Sequence, residues 1–160
     1  MIAELLNTPD VPELGPRVRE GVLSEAALNA QLERRLKQAK ITGTRAELIR
    51  ATLFLWHDHL DAAHKIVQDI ETADGSYLHA IMHRREPDYS NSKYWFRRVG
   101  KHPCFAKLAE IKGASAFVKH GEWDAFAFVD ACEREPTNRS LRDIQAEELR
   151  TLLDHLVARK

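Results

Sequence analysis

Residues 44–99 read TRAELIRATLFLWHDHLDAAHKIVQDIETADGSYLHAIMHRREPDYSNSKYWFRRV, and the spacing within them decides the fold. Leu48, Ile49, Thr52, Leu53 and Trp56 recur three and four residues apart, as on one buried helix face. A shift of 29 residues sets Leu48, Ile49, Thr52 and Leu53 against Tyr77, Leu78, Ile81 and Met82. The same shift aligns 61–70 with 90–99, matching Ile66 to Trp95, Val67 to Phe96 and Ile70 to Val99. Each copy therefore reads as a helix, a short turn and a second helix.

Start and stop signals extend the helical reading outward. Pro9, Pro12 and Pro16 block a continuous helix over residues 1–20, leaving an arm whose Leu5, Leu6, Val11 and Leu14 can pack on the body. Ser24 caps a helix running to about Ala39, with Leu28, Leu32 and Leu36 on one stripe, and Gly43 ends the connection after it. Thr44 and Glu47 have the spacing of a capping box. Asp61 is expected to cap a helix through Ile70, and Asp74 or Ser76 one from Tyr77 to Arg85, stopped by Pro87. Ser90 or Asn91 starts the next helix, which runs through Val99 to Gly100. His102-Pro103 opens a helix carrying Phe105, Leu108 and Ile111, interrupted at Gly113. Trp123, Phe126 and Phe128 read as core, and Ser140 caps a final helix with Leu141, Ile144, Leu149, Leu152, Leu153 and Leu156. No strand or hairpin signal stands out. The expectation is one compact all-α domain over 1–160, built of helical hairpins.

The 160 residues suffice for one core burying roughly 70% of the unfolded surface. Lys+Arg and Asp+Glu balance at 24 each, so overall charge gives no argument for nucleic acid or an anionic membrane. A local imbalance remains, since Arg84, Arg85, Lys93, Arg97, Arg98 and Lys101 face only Glu86 and Asp88 in the same segment. No stretch approaches the roughly 20 apolar residues needed to span a bilayer, and the N-terminus has no basic leader, which implies a cytoplasmic protein. Cys104 and Cys132, isolated in apolar stretches, read as free buried thiols.

Chemistry concentrates in residues 56–105. Six of the eight histidines lie there (His57, His59, His64, His79, His83 and His102), beside Arg84-Arg85, Arg97-Arg98 and Tyr94-Trp95-Phe96. His79 and His83, at i and i+4, share a helix face with the spacing of a metal-binding pair. Ala80-Ile81-Met82 between them lacks the glutamate of a zinc-protease motif. Further ligands have to come from His57, Asp58, His59, Asp61 or His64. His57, Asp61 and His64 share a face only if the helix continues through a turn placed at Leu60-Asp61. With one dependable pair, no metal and no cofactor is expected, and hydrogen bonding is the favoured use of the histidines. Arg84, Arg85, Arg97 and Arg98 offer bidentate forks for carboxylate or phosphate, or pair internally with Glu86 or Asp88. Tyr94 and Trp95 cannot both face the core, and Tyr94 is assigned to packing against the preceding helix. Cys104, near a helix start, has a setting that can lower a thiol pKa, but its expected use is as a small buried hydrophobe.

Two resemblances add to this. The hairpins around 48–99 resemble tetratricopeptide units, although their period is shorter than 34 residues. The strings WHDHLDAAHKIVQDI and HAIMHRREPDYSNSKYWFRRVGKHP resemble a family of uncharacterised, mostly bacterial helical proteins. That resemblance implies no reaction, but supports treating 56–105 as one functional unit. The functional expectation is a binding module, not an enzyme. Its ligand is an unknown protein or a small anion, held in a cleft of His57, His64, His79, His83, Arg84, Glu86, Tyr94, Arg97, Arg98 and His102. The alternatives are a small enzyme using His79, His83 and Glu86, with or without a metal, and an RNA-binding module. The Leu-rich last helix covers the core or forms a homodimer face.

Overall fold

Helix α2 (Gly43–Trp56) buries residues on every side, among them Leu48, Ile49, Ala51, Leu53, Phe54 and Leu55, so it is surrounded rather than striped. In the computed structural model, which describes residues 1–159, α1 (Glu25–Ala39), α3 (Leu60–Val67), α4 (Ala73–Arg85) and α8 (Arg139–Ala158) pack around it. α5 (Tyr89–Val99) lies along α4, followed by the one-turn α6 (Phe105–Leu108) and by α7 (Ala125–Arg134). Helix accounts for 65% of the chain, about twice the globular average, which makes this an all-α domain. No described helix is long and apolar enough to cross a membrane.

The two hairpins are α2–α3 and α4–α5. Contacts in the second run in opposite directions along its helices: His83 meets Asn91, the Ser92 hydroxyl donates to the Ala80 carbonyl at 2.7 Å, His79 meets Trp95, and Tyr77 meets Phe96. The helices are therefore antiparallel, as their short connection requires. Leu28, Leu32 and Leu36 of α1 and Leu149, Leu152, Leu153 and Leu156 of α8 are buried as their periodicity requires.

Helix starts differ from the sequence expectation in several places. α2 begins at Gly43 after Thr42, so Thr44 lies inside the first turn and the capping box is not made. α3 begins at Leu60, placing Asp61 in its first turn rather than at its cap. α4 begins at Ala73 because the Thr72 hydroxyl accepts from the Gly75 amide at 3.1 Å, which frees Asp74 for a distant partner. Gly75 is needed there, since a Cβ would collide with the Ile70 carbonyl. Asp88 caps α5 and Asn138 caps α8, each two or three residues ahead of the serine or asparagine expected. Lys40, in the left-handed region at φ 58°, terminates α1.

Three further corrections concern residues 102–128. α6 is confined to Phe105–Leu108, so Ile111 falls in the turn after it. A two-residue hairpin, β1 (Val118–Lys119) and β2 (Glu122–Trp123), exists where no strand was expected. Its turn residues His120 and Gly121 both take positive φ, as a tight hairpin of native twist demands. Trp123 and Phe128 are buried, whereas Phe126 is 36% exposed and lies outside the core.

Candidate functional site

α4 carries polar groups on two sides with opposite treatment. On one side Arg84 and Arg85 are fully buried and neutralised. Arg84 pairs with Glu148 at 2.6 Å and donates to Gln145 at 3.1 Å, while Tyr77 donates to the other Glu148 oxygen at 2.9 Å. Arg85 pairs with Asp58 at 2.8 Å and donates to the Leu55 and Gly15 carbonyls. Asp58 also accepts from the side chain and backbone amide of Arg19, at 2.8 and 2.9 Å. Burial alone raises the Asp58 pKa, but Arg85 and Arg19 overcome it and hold the carboxylate charged.

Asp58 occupies the junction between α2 and α3 with φ 67°, a conformation an aspartate tolerates better than most residues. The chain breaks over 57–59, so His57 is not in helical register with His64. The His57 Nδ1 accepts from the Leu23 amide at 3.1 Å and its Nε2 donates to the Leu5 carbonyl at 2.7 Å, fastening the N-terminal arm. His59 contacts the Leu23 carbonyl at 2.7 Å.

The other side of α4 presents His79 and His83 toward α3 and α5. His64 on α3 lies 5.0 Å from His79 and 5.5 Å from His83, ring centre to ring centre. One ligating nitrogen from each of the three lies within 4.8 Å of the others. His79 stacks on Trp95 of α5 at 3.8 Å and 17°, and its Nδ1 is buried with no hydrogen-bond partner. Burial, then the adjacent His83 and His64, push its pKa down to about 3, so the ring is neutral at ordinary pH. The His83 Nδ1 lies 3.2 Å from the Glu86 carboxylate and its Nε2 3.3 Å from the Asn91 amide nitrogen. A carboxylate facing Nδ1 and an amide N–H facing Nε2 select the tautomer with its proton on Nδ1 and its lone pair on Nε2.

The other expected site residues go elsewhere. His102 donates from Nε2 to Asp74 at 2.6 Å and accepts the Cys104 amide at Nδ1, joining α4 to the loop before α6. His155 and Arg159 of the C-terminal segment converge on the same Asp74. These groups form a second set with ligand spacing, but both Asp74 oxygens are engaged and the Arg159 cation sits against them, which opposes a metal ion. Tyr94 does not pack against the preceding helix. It is 44% exposed, and Trp95 takes the packing role. Arg97 and Arg98 are exposed at the end of α5, without a carboxylate partner among the described residues. The Arg98 guanidinium lies over the Trp95 ring at 5.3 Å. Burial pushes the Cys104 thiol up to about 12 and that of Cys132 to about 11, so neither is an activated nucleophile.

The structure thus brings together His64, His79, His83 and Glu86, adds Trp95 and Asn91, and leaves His57, Arg84 and His102 outside. Sequence reasoning gave no role to Arg19 or Glu148 and offered Asp58 only as a possible metal ligand; the pairs Asp58–Arg85, Asp58–Arg19 and Glu148–Arg84 lie 27, 39 and 64 residues apart. No family model, curated protein or solved structure matches the chain.

Proposed function

We propose that this protein is a helical metal-binding module whose centre is His64, His79 and His83. The observation that carries this reading is the convergence of three imidazole nitrogens within 4.8 Å, one ring buried with an unpartnered nitrogen. A neutral imidazole is the commonest ligand form of histidine, and the low pKa of His79 keeps it ready. Glu86 on Nδ1 of His83 has the place of an outer carboxylate that fixes a ligand's tautomer and strengthens its donor nitrogen. The expectation of no metal rested on a single histidine pair; the fold supplies the third member. Zn–N distances of about 2.1 Å imply nitrogens roughly 3.4 Å apart in a tetrahedral site. The cluster is wider than that, so binding draws the rings inward by side-chain rotation. Three protein ligands leave a fourth position for an exogenous group, the pattern of reactive rather than purely structural zinc. The tandem hairpins, with their tetratricopeptide-like spacing, provide the rigid frame.

Titration of tag-free, metal-stripped protein with zinc by calorimetry tests this. One equivalent should bind to wild type, with affinity falling strongly in His64→Ala and binding abolished in the His79→Ala, His83→Ala double variant. Absence of stoichiometric binding, or equal binding by the double variant, overturns the reading.

A further inference from the structure

We propose that the cavity between the end of α5 and the β-hairpin is a second binding site, one that takes a flat heterocycle carrying a ring N–H beside a ring carbonyl. The cavity, about 320 Å³, is bounded by Gly100 and Lys101 after α5, by Phe105 of α6, and by Gly121, Glu122 and Trp123 of the hairpin. It shares no residue with the histidine centre, so the two readings stand or fall separately. Its aromatic walls are held in place before any ligand arrives. Phe105, half-buried, packs edgewise on Tyr77 at 5.6 Å, and Trp123 is fixed by Phe117 and Phe128 at 5.9 and 5.4 Å. Preformed apolar walls with a few polar groups are the usual make-up of a small-molecule site. Aromatic rings favour a flat, stackable guest.

The polar groups of the wall select the edge of the guest. The Trp123 indole N–H is buried without a hydrogen-bond partner among the described residues. Indole nitrogen donates only, so it calls for an acceptor, and an unpaired buried donor is costly enough to favour a ligand that supplies one. His102, also in the wall, does not compete, since Asp74 and the Cys104 amide occupy both its ring nitrogens. At the rim Lys101 and Glu122 face each other at 3.7 Å, their side chains 91% and 70% exposed. So open an ion pair holds weakly, and the two side chains can part to admit a ring. Their charges cancel, which favours a neutral guest over an ion. Glu122 then accepts from an N–H while the indole donates to a carbonyl. A lactam edge, as in uracil or guanine, offers both side by side.

Proton–nitrogen NMR of the whole chain tests this, because each of its three tryptophans gives one indole N–H signal and Trp123→Phe identifies the relevant one. Uridine or guanosine should move that signal saturably, whereas adenosine, which has no ring carbonyl, should bind several-fold more weakly. Trp123→Phe keeps an aromatic wall and loses the donor. It should weaken the nucleoside roughly three- to tenfold, the loss of one hydrogen bond. Glu122→Ala, on the exposed rim and outside the core, should weaken it to a similar extent. A free nucleoside and a base turned out from a single strand share this edge. A short oligouridylate that binds no tighter than uridine assigns the free ligand, and tighter binding assigns the strand. No saturable shift with either nucleoside, an equal response to adenosine, or undiminished binding by Trp123→Phe and Glu122→Ala overturns the proposal.

Discussion

The two sides of α4 differ in how they treat buried polar groups. Toward α2 and α8, Arg84 and Arg85 meet carboxylates, an amide and carbonyls placed for them. Toward α3 and α5, His64, His79 and His83 meet one another and an indole, and a buried nitrogen is left without a partner. Each side leaves one buried nitrogen without a hydrogen-bond partner, Arg84 Nε and His79 Nδ1, but the Arg84 charge is met by Glu148 whereas His79 meets only other rings. A network whose charges are paired holds a fold together, because little remains for a ligand to satisfy. An unsaturated one of neutral donor atoms stores unmet bonding capacity, which is what a site needs.

The largest test of this contrast is Asp58→Ala, which leaves two arginines buried without their counter-charge. It should cost about 3–5 kcal/mol in urea unfolding, as one-sided removal of a buried ion pair does. A loss under about 1 kcal/mol shows that the charge-paired side is not structural. Next comes zinc itself. At a hundred times its Kd it should add about 2.7 kcal/mol to wild-type stability and almost nothing to His64→Ala.

Acid gives a smaller effect per pH unit on the metal-free protein. His79 has a folded pKa of about 3 against 6.5 when free, so the unfolded chain binds more protons between those values. Its contribution is complete above pH 6.5 and is lost as pH falls, by about 1.4 kcal/mol per pH unit across that window. His57, also lowered by burial, acts in the same direction, so the difference in slope between wild type and His79→Leu isolates His79. Equal slopes place that ring in water. The smallest effect belongs to Arg97→Ala: an exposed arginine with no partner should change stability by less than about 0.5 kcal/mol.

Much of the fold was legible because helix faces repeat locally. Leu28, Leu32 and Leu36 needed only their spacing, and so did the leucines of α8. Caps were less legible, since Thr42, Thr72, Asp88 and Asn138 stand among several residues with equal capping chemistry. The pair His79 and His83 could be read from one helix turn. His64 was one of five candidates for a further ligand and could not be singled out, because its place depends on the break at 57–59. That break is stabilised by Arg19 and Arg85 closing on Asp58 from 39 and 27 residues away, beyond the reach of any local pattern. The same range explains the arginines. Arg84 and Arg98 look alike in the chain, and only Glu148, 64 residues from Arg84, tells them apart.

The arm before α1 bears on the order of folding. Arg139, Arg142 and Gln145 of α8 bind Asp10, Val11, Pro12 and Glu13 across sequence separations of 129 to 132 residues. Closing so long a loop is slow relative to forming adjacent hairpins, so the arm docks after α2–α5 have assembled. Until it does, Asp58 holds only Arg85 and the α2–α3 junction is half secured. Late docking and few buried apolar side chains also make the arm the first segment to reopen. Its amides should exchange with deuterium well before those of α2 and α4, and each opening briefly loosens the turn that sets His64 against its partners.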